Sequence, residues 1–307
     1  MIYESCFPSD ADGLNISVIA VIPDKKPYRA VVQLVHGMCE YKERYLPFME
    51  YLAAHGYVSV IHDHRGHGKS IHSRQDLGYT YGGGAEAILQ DIRTVNLKIH
   101  GAFPDLPLIL MGHSMGSLAV RAFAAHHDSC MNMLIVCGTP GYNNARALGV
   151  AVANAEKMLF GPRHRSKVLE AISFGPYAFR FRNDKSCTAW ICSDPEVAKE
   201  YEESELCGFT FTDDGYLALF DLMKKAYDVK SFSCTNPDIP VLFISGSEDP
   251  CMISVRHFSK AVWAMRHVGY RDVKGKLYPG MRHEILNEKN KQQVYGDIVY
   301  YMRKKGF

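Results

Sequence analysis

Gly112-His113-Ser114-Met115-Gly116 sets a serine between two glycines, where an apolar strand-like run gives way to a helical one, Leu118 to Ala125. A strand that reverses into a helix within so few residues forces the serine backbone into strain. It also leaves no room for side chains two positions to either side, which the glycines satisfy. Such a turn lifts the hydroxyl above the sheet. It brings the helix N-terminus, with unpaired N–H groups and the positive dipole end, beneath a reacting carbonyl. Ser114 is therefore the candidate nucleophile for acyl transfer.

A serine hydroxyl attacks only when a base takes its proton, and that base needs a carboxylate to hold its tautomer. With the nucleophile on a strand-to-helix turn, acid and base are expected after it, in that order. Gly246-Ser247-Glu248-Asp249-Pro250 leaves an apolar run and offers two carboxylates. Asp249, shorter and beside a helix-starting proline, suits a fixed buried hydrogen bond better than Glu248, although an Asp here also reads as a helix cap. Further on, Tyr278-Pro279-Gly280-Met281-Arg282-His283-Glu284 presents His283 on a loop as general base, whereas His257 and His267 fall within a helical pattern. The oxyanion needs preorganised donors, each worth about 3 kcal/mol. The N–H of Met115 is one candidate and the N–H of Met38, in Val35-His36-Gly37-Met38, is the other.

The elements that would hold these residues follow from Arg29 onward, where short β-rich runs alternate with helical patterns, as in a parallel sheet covered on both faces. The runs are Ala30 to Val35, Tyr57 to His62, Leu108 to Met111 and Met133 to Cys137. The pattern resumes at Pro240 to Ile244 and at Lys274 to Tyr278, with a last helix from about Lys291. Tyr3 to Phe7 and Leu14 to Val21 read as an antiparallel pair at a sheet edge. After Thr139-Pro140-Gly141 the alternation stops, and helices and aromatic loops replace it for about ninety residues. The first of these helices shows Leu148, Val152, Ala155 and Leu159 along one face. The organisation expected is a core in two parts, 1–140 and 236–307, with an inserted helical cap at 141–235.

At 307 residues, 47% hydrophobic and 22% charged, the chain can bury a sizeable core. Its net charge of +2 is dispersed, with no basic stripe for nucleic acid. The densest basic segment, Arg163-His164-Arg165-Ser166-Lys167, reads as a solvated loop. Nine cysteines, widely spaced and without a Cys-x-x-Cys pair, suggest neither a disulfide framework nor a zinc knuckle. With no secretory pattern at the N-terminus and no run long enough to span a bilayer, the cytoplasm is expected.

The chain resembles the monoacylglycerol lipase and lysophospholipase branch of the α/β-hydrolases, which is grouped with the serine aminopeptidase S33-type hydrolases. The resemblance covers nearly the whole core. It rests on His36-Gly37-Met38-Cys39-Glu40 with Arg44-Tyr45, on Asp63-His64-Arg65-Gly66-His67-Gly68-Lys69-Ser70, on Gly112 to Gly116, on Asp249 and on Arg282-His283-Glu284. It implies the α/β-hydrolase fold, a triad of Ser114, Asp249 and His283, and an oxyanion hole from Met38 and Met115. It also implies structural roles for Glu40, Arg44 and the Arg65 to Gly68 turn. The sequence departs from the common pattern at Cys39 and at Ser117, where a third glycine often follows the elbow, and the cap aligns less well.

Three other readings compete. His62-Asp63-His64 with His67 and His72 resembles a metal-ligand cluster, but dense Gly and Arg suit a tight turn better, and a hydrolytic metal site needs further ligands downstream. A non-catalytic relative would be expected to lack a triad member. A serine triad also serves amidases, aminopeptidases and perhydrolases, whereas dehalogenases and epoxide hydrolases use a carboxylate where Ser114 stands. The function expected is carboxylic ester hydrolysis without metal or organic cofactor. A monoacylglycerol or lysophospholipid is the substrate, a small-ester carboxylesterase is the alternative, and transient contact with a lipid surface is allowed. Cys39 and Cys251 are expected either to line the pocket and meet thiol reagents or to be small buried hydrophobes.

Overall fold

The computed structural model describes every residue except Lys185. Eight strands form one sheet: β1 (Ile2–Pro8), β2 (Asn15–Val21), β3 (Val31–Val35), β4 (Val58–His62), β5 (Leu108–His113), β6 (Met133–Cys137), β7 (Val241–Gly246) and β8 (Val273–Tyr278). Their order is β1-β2-β4-β3-β5-β6-β7-β8. β1 and β2 pair antiparallel, as do β2 and β4, and every later pairing is parallel. The expected edge hairpin and the six expected core runs are all present.

Strands β3 to β7 are buried along their whole length, as unbroken apolar runs require when both faces are covered. The period of two divides them. Val31 and Val35 face one cluster with α2 (Gly84–Ala102), α3 (Met115–His127) and α8 (Val255–His267). Val32 and Leu34 face another with α1 (Leu46–Ala54) and α9 (Lys291–Lys304). The polar interruption at Gln33 is satisfied: its amide donates to Ile92 O at 2.9 Å and its oxygen accepts from Asn96 at 3.0 Å.

Between β6 and β7 lie α4 (Arg146–Phe160), α5 (Lys167–Arg180), α6 (Pro195–Glu203) and α7 (Asp213–Tyr227). α7 packs on α3 and α2 and sends Tyr216, Phe220 and Leu222 into the main core cluster. The apolar stripe of α4 lies on the open side: its buried residues are Gly149 and Ala153, whereas Leu148, Ala155 and Leu159 are exposed. Met158 and Phe160, with Val168, Ile172 and Phe179 from α5, extend this exposed apolar surface.

The 163–167 segment is not simply solvated. Arg163 pairs with Asp76 and lies 4.5 Å over the Tyr79 ring, and Arg165 donates to the carbonyls of Thr210, Gln75 and Leu77. Arginine reaches several carbonyls at once through its planar fork, and here it ties the helical segment to the core. Among the described residues no helix is long and apolar enough to cross a membrane.

Candidate active site

The sheet order reverses between β3 and β5, because the chain proceeds from β3 to β4 on one side and from β5 to β6 on the other. Crevices at such a switch point, beyond the carboxyl ends of the strands, are where open α/β sheets bind ligands. Val35 and Gly112 stand opposite each other in register, so the loop after β3, with Met38, meets the turn after β5, with Ser114.

Ser114 has φ 52° and ψ −119°, a strained conformation for a residue with a side chain, directly before α3. The second elbow glycine is required by contact: a Cβ on Gly116 would lie 2.1 Å from Val35 O and 2.4 Å from His36 O. Ser117, where the sequence departs from the common pattern, turns its hydroxyl back onto the Ser114 carbonyl at 2.5 Å.

Ser114 Oγ lies 2.8 Å from His283 Nε2, and His283 Nδ1 lies 3.0 Å from Asp249 Oδ1. Asp249 and His283 come from the loops after β7 and β8, neighbours in the sheet. Gly246 lets those loops cross, since a Cβ there would lie 2.1 Å from Met281 O and 2.2 Å from Arg282 O. Asp249 is fully buried and also accepts from the Cys251 N–H at 2.8 Å and the Ser245 hydroxyl at 2.9 Å. Burial pushes its pKa up, but the charge and hydrogen bond of His283, with those two donors, outweigh burial and hold the carboxyl below its ordinary value. Asp249 also caps the short helical turn that follows, so capping and histidine-holding coexist in one side chain.

The alternatives lie elsewhere. The Glu248 side chain is 47% exposed, 4.0 Å from Arg282. His257 and His267 are on α8, where His257 Nδ1 meets Ser254 Oγ at 2.9 Å and His267 stacks on Trp263. Met38 and Met115 border the same cavity as Ser114, and among the described residues neither N–H donates to a protein acceptor. Two unpaired N–H groups beside Ser114 are placed to receive an oxyanion if one develops there.

One set of contacts behind the site is not visible as a motif. Glu40 accepts from the Gly37 N–H at 2.5 Å and the Tyr45 hydroxyl at 3.0 Å, and meets His113 Nδ1 at 3.2 Å. His113 Nε2 in turn meets the His283 carbonyl at 3.2 Å. Arg44 reaches Glu40 and grips Glu284 with two bonds of 2.6 and 2.7 Å. The loop carrying Met38, the elbow and the His283 loop are thereby joined through buried polar groups. Glu284 and Glu40 were legible only as family positions; His113 had one signal, its place beside Ser114.

Burial alone would raise the Glu40 pKa, but the hydrogen bond and charge of His113, with Arg44 and the Gly37 N–H, lower it from 4.5 to about 2. For His113, burial is outweighed by Glu40 and the imidazole pKa is raised. The carboxylate's contribution to stability is thus fully present above pH 4.5 and lost as pH falls toward 2, and the imidazolium's is lost as pH rises through its raised value. Glu40→Gln should cost on the order of 2 kcal/mol at pH 6 in urea unfolding, and this deficit should shrink as pH is lowered through the acid window. A deficit constant with pH would show that the Glu40 charge is not what the site uses.

In the tight turn Asp63, His64 Nε2 and His67 have protein partners, whereas among the described residues both ring nitrogens of the buried His62 and Nδ1 of His64 have none. Asp63 accepts from Lys42 Nζ at 2.6 Å and from the backbone N–H groups of Lys42 and Lys69, His64 Nε2 meets His36 O, and His67 Nε2 accepts from the Cys39 N–H. Burial lowers the pKa of both His62 and His67 to about 4, so both rings are neutral. Cys39 and Cys251 border the cavity and are buried, and burial pushes both thiols up, away from the reactive thiolate.

The cavity above Ser114 has a volume of about 870 Å³ and a wall of aromatic residues from the inserted helices. Trp190 stacks on Phe174 and lies 5.5 Å from the His283 ring, with Tyr177 beside it. That volume is within the range of ligand pockets that enclose most of a small organic molecule.

Residues 26–290 match the family described as serine aminopeptidase, S33. A monoacylglycerol lipase of Mycolicibacterium smegmatis is 27% identical over 292 residues, covering 94% of this chain and 93% of that protein. Among solved structures, a highly thermostable carboxyl esterase from Bacillus coagulans, in complex with glycerol, superposes with a TM-score of 0.89 at 26% identity, over 99% of this chain and 98% of that one. A lipase in its open form gives 0.86 at 27% identity, over 99% of both chains. The chain belongs to the serine aminopeptidase, S33, family and is a carboxylic ester hydrolase of the α/β-hydrolase fold, similar to monoacylglycerol lipases.

Proposed function

We propose that the protein hydrolyses monoacylglycerols or lysophospholipids through an acyl-enzyme on Ser114. The observation that carries this reading is the hydrogen-bonded chain from Ser114 through His283 to Asp249 on the floor of the 870 Å³ cavity. Ser114 Oγ attacks the ester carbonyl as its proton passes to His283 Nε2, and the carbonyl electrons move onto the oxygen held by the N–H groups of Met38 and Met115. Collapse breaks the bond to the alcohol, which leaves with the proton from His283. Water then repeats the sequence, giving its proton to His283 and releasing the acid, while Asp249 holds Nδ1–H throughout.

Residues 141–235 act as the cap over this chemistry in our reading. Phe174, Tyr177 and Trp190 on its inner side suit an acyl chain, and its outer apolar residues, Leu148, Met158, Leu159 and Phe160, suit transient contact with a lipid surface. The glycerol ester preference is supported by the two relatives, a monoacylglycerol lipase and a carboxyl esterase that holds glycerol. No cofactor or nucleic acid takes part, and an odd count of well-separated cysteines favours the cytoplasm.

Initial rates over p-nitrophenyl esters from acetyl to palmitoyl, beside 1-monoacylglycerols and lysophospholipids supplied dispersed and in vesicles, test the assignment, with Ser114→Ala as blank. Medium or long chains should be preferred, glycerol esters should be cleaved, and vesicles should be attacked. A sharp preference for acetyl or butyryl, with glycerol esters untouched, would replace this reading with a small-ester carboxylesterase. Cleavage of anilides in place of esters would point to an amidase.

A further inference from the structure

Away from the cavity, three potential metal ligands converge where the inserted helices meet. Glu156 lies near the end of α4, His164 on the loop that follows, and Asp213 is the first residue of α7. One ligand atom from each, two carboxylate oxygens and an imidazole nitrogen, lies within 4.8 Å of the other two.

The side chain of Asp213 is fully buried, and its one hydrogen bond is to His164 Nδ1 at 3.0 Å, inside the cluster; Oδ1 has no donor. Glu156 Oε2 is also buried without a donor. Leaving two such acceptors unmatched is costly, more so when they belong to neighbouring carboxylates. Asp213 carries the mark of this: burial raises its pKa, and the nearby Glu156 raises it further against the lowering effect of His164.

The basic residues around the cluster are engaged elsewhere. Lys157 pairs with Asp214 at 2.9 Å, Arg163 with Asp76, and Arg165 with backbone carbonyls. Among the described residues, the partly exposed His164 is the only basic side chain bonded to either carboxylate.

We propose that Glu156, His164 and Asp213 bind a divalent transition-metal cation of the Zn²⁺ type. One imidazole nitrogen with two carboxylate oxygens suits Zn²⁺, Co²⁺ or Mn²⁺ better than the all-oxygen shells of Ca²⁺ and Mg²⁺. The cation takes the lone pair of His164 Nδ1, with the ring proton on Nε2, and satisfies the unmatched oxygens. Water completes its shell from the exposed side of His164 and Glu156. The neighbouring Asp214 already fixes the start of α7 to the core through the Thr80 hydroxyl at 2.5 Å and the Gly82 N–H at 3.1 Å. A cation at this position therefore clamps α4, which borders the cavity at Arg146 and Gly149, to an anchored point. Its role is structural, and the proposal is independent of the reaction at Ser114.

Thermal unfolding of chelator-treated protein with and without Zn²⁺ tests it. At about a hundredfold excess over the dissociation constant, Tm should rise by about 5 °C in the wild type and equally in Ser114→Ala. The rise should be lost in His164→Ala and in Glu156→Gln; should the first not fold, the second, which removes a partly exposed charge, decides alone. Co²⁺ should give visible absorption in the wild type that Glu156→Gln abolishes. No rise in the wild type, or an equal rise in the variants, would overturn the proposal, the latter locating the ion elsewhere, as at Asp249, Cys251 and His283.

Discussion

Ser114→Ala should lower kcat for esters on the order of 10⁵-fold or more while leaving the melting temperature almost unchanged. The loss is large because the hydroxyl oxygen is the atom that bonds to the acyl group, and the oxyanion donors and the cavity supply only the remainder. The fold is spared because the change removes one oxygen whose side-chain bond is to His283, and the strained φ of 52° at this position is set by the elbow glycines and the strand–helix junction. Steady-state rates on p-nitrophenyl butyrate with a melting curve on the same preparation measure both halves. Retained turnover in a clean preparation would remove Ser114 from the mechanism.

Asp249→Asn should cost on the order of 10⁴-fold in kcat, with substrate binding little changed. An amide at this position keeps the shape of the carboxylate but can donate to His283 Nδ1, which favours the wrong tautomer and leaves Nε2 unable to accept the serine proton. Turning the amide nitrogen toward His283 takes from the buried Cys251 N–H the Oδ1 acceptor it shares with His283, so a stability loss on the order of 1 kcal/mol should accompany the chemical defect, and kcat is read on a preparation whose melting curve shows it folded. Glu248→Gln is the internal comparison, since that half-exposed side chain lies near Arg282 and away from His283. Its activity should stay within about twofold, as for a surface substitution. Equal losses in the two variants would show that the acid had been assigned to the wrong carboxylate.

The parts of the molecule legible in the sequence are those whose physics is local. An elbow between strand and helix imposes glycines at two positions within five residues, and strands buried on both faces show as apolar runs such as Met133 to Cys137. Asp249 was picked out because it follows such a run, Val241–Gly246, and His283 because it lies on the loop after the last strand. What could not be read depends on contacts between distant segments. His113 meets Glu40 across 73 positions and the His283 carbonyl across 170, and Arg44 meets Glu284 across 240. No spacing rule marks these pairs.

The α4 stripe shows a related limit. Periodicity shows that a helix has an apolar face, but not which surface that face meets, and here small residues, Gly149 and Ala153, let α4 approach its neighbour while the large ones turn outward. Gly149 sits against the Phe220 ring, where a Cβ would come within 2.7 Å. Likewise, the arginines at 163 and 165 read as a solvated loop because their partners, Asp76 and the carbonyls of Gln75 and Leu77, are nearly ninety positions away.

The central claim is that Ser114 becomes acylated. Incubation with an alkyl fluorophosphonate, which transfers its phosphonyl group to an activated serine, followed by proteolysis and mass spectrometry of the peptides, tests it most directly. The account predicts one phosphonyl group per chain, on the peptide containing Ser114, appearing in step with loss of esterase activity and absent from Ser114→Ala. A protein that hydrolyses esters yet carries no adduct at Ser114, or carries it on another residue, would contradict the account.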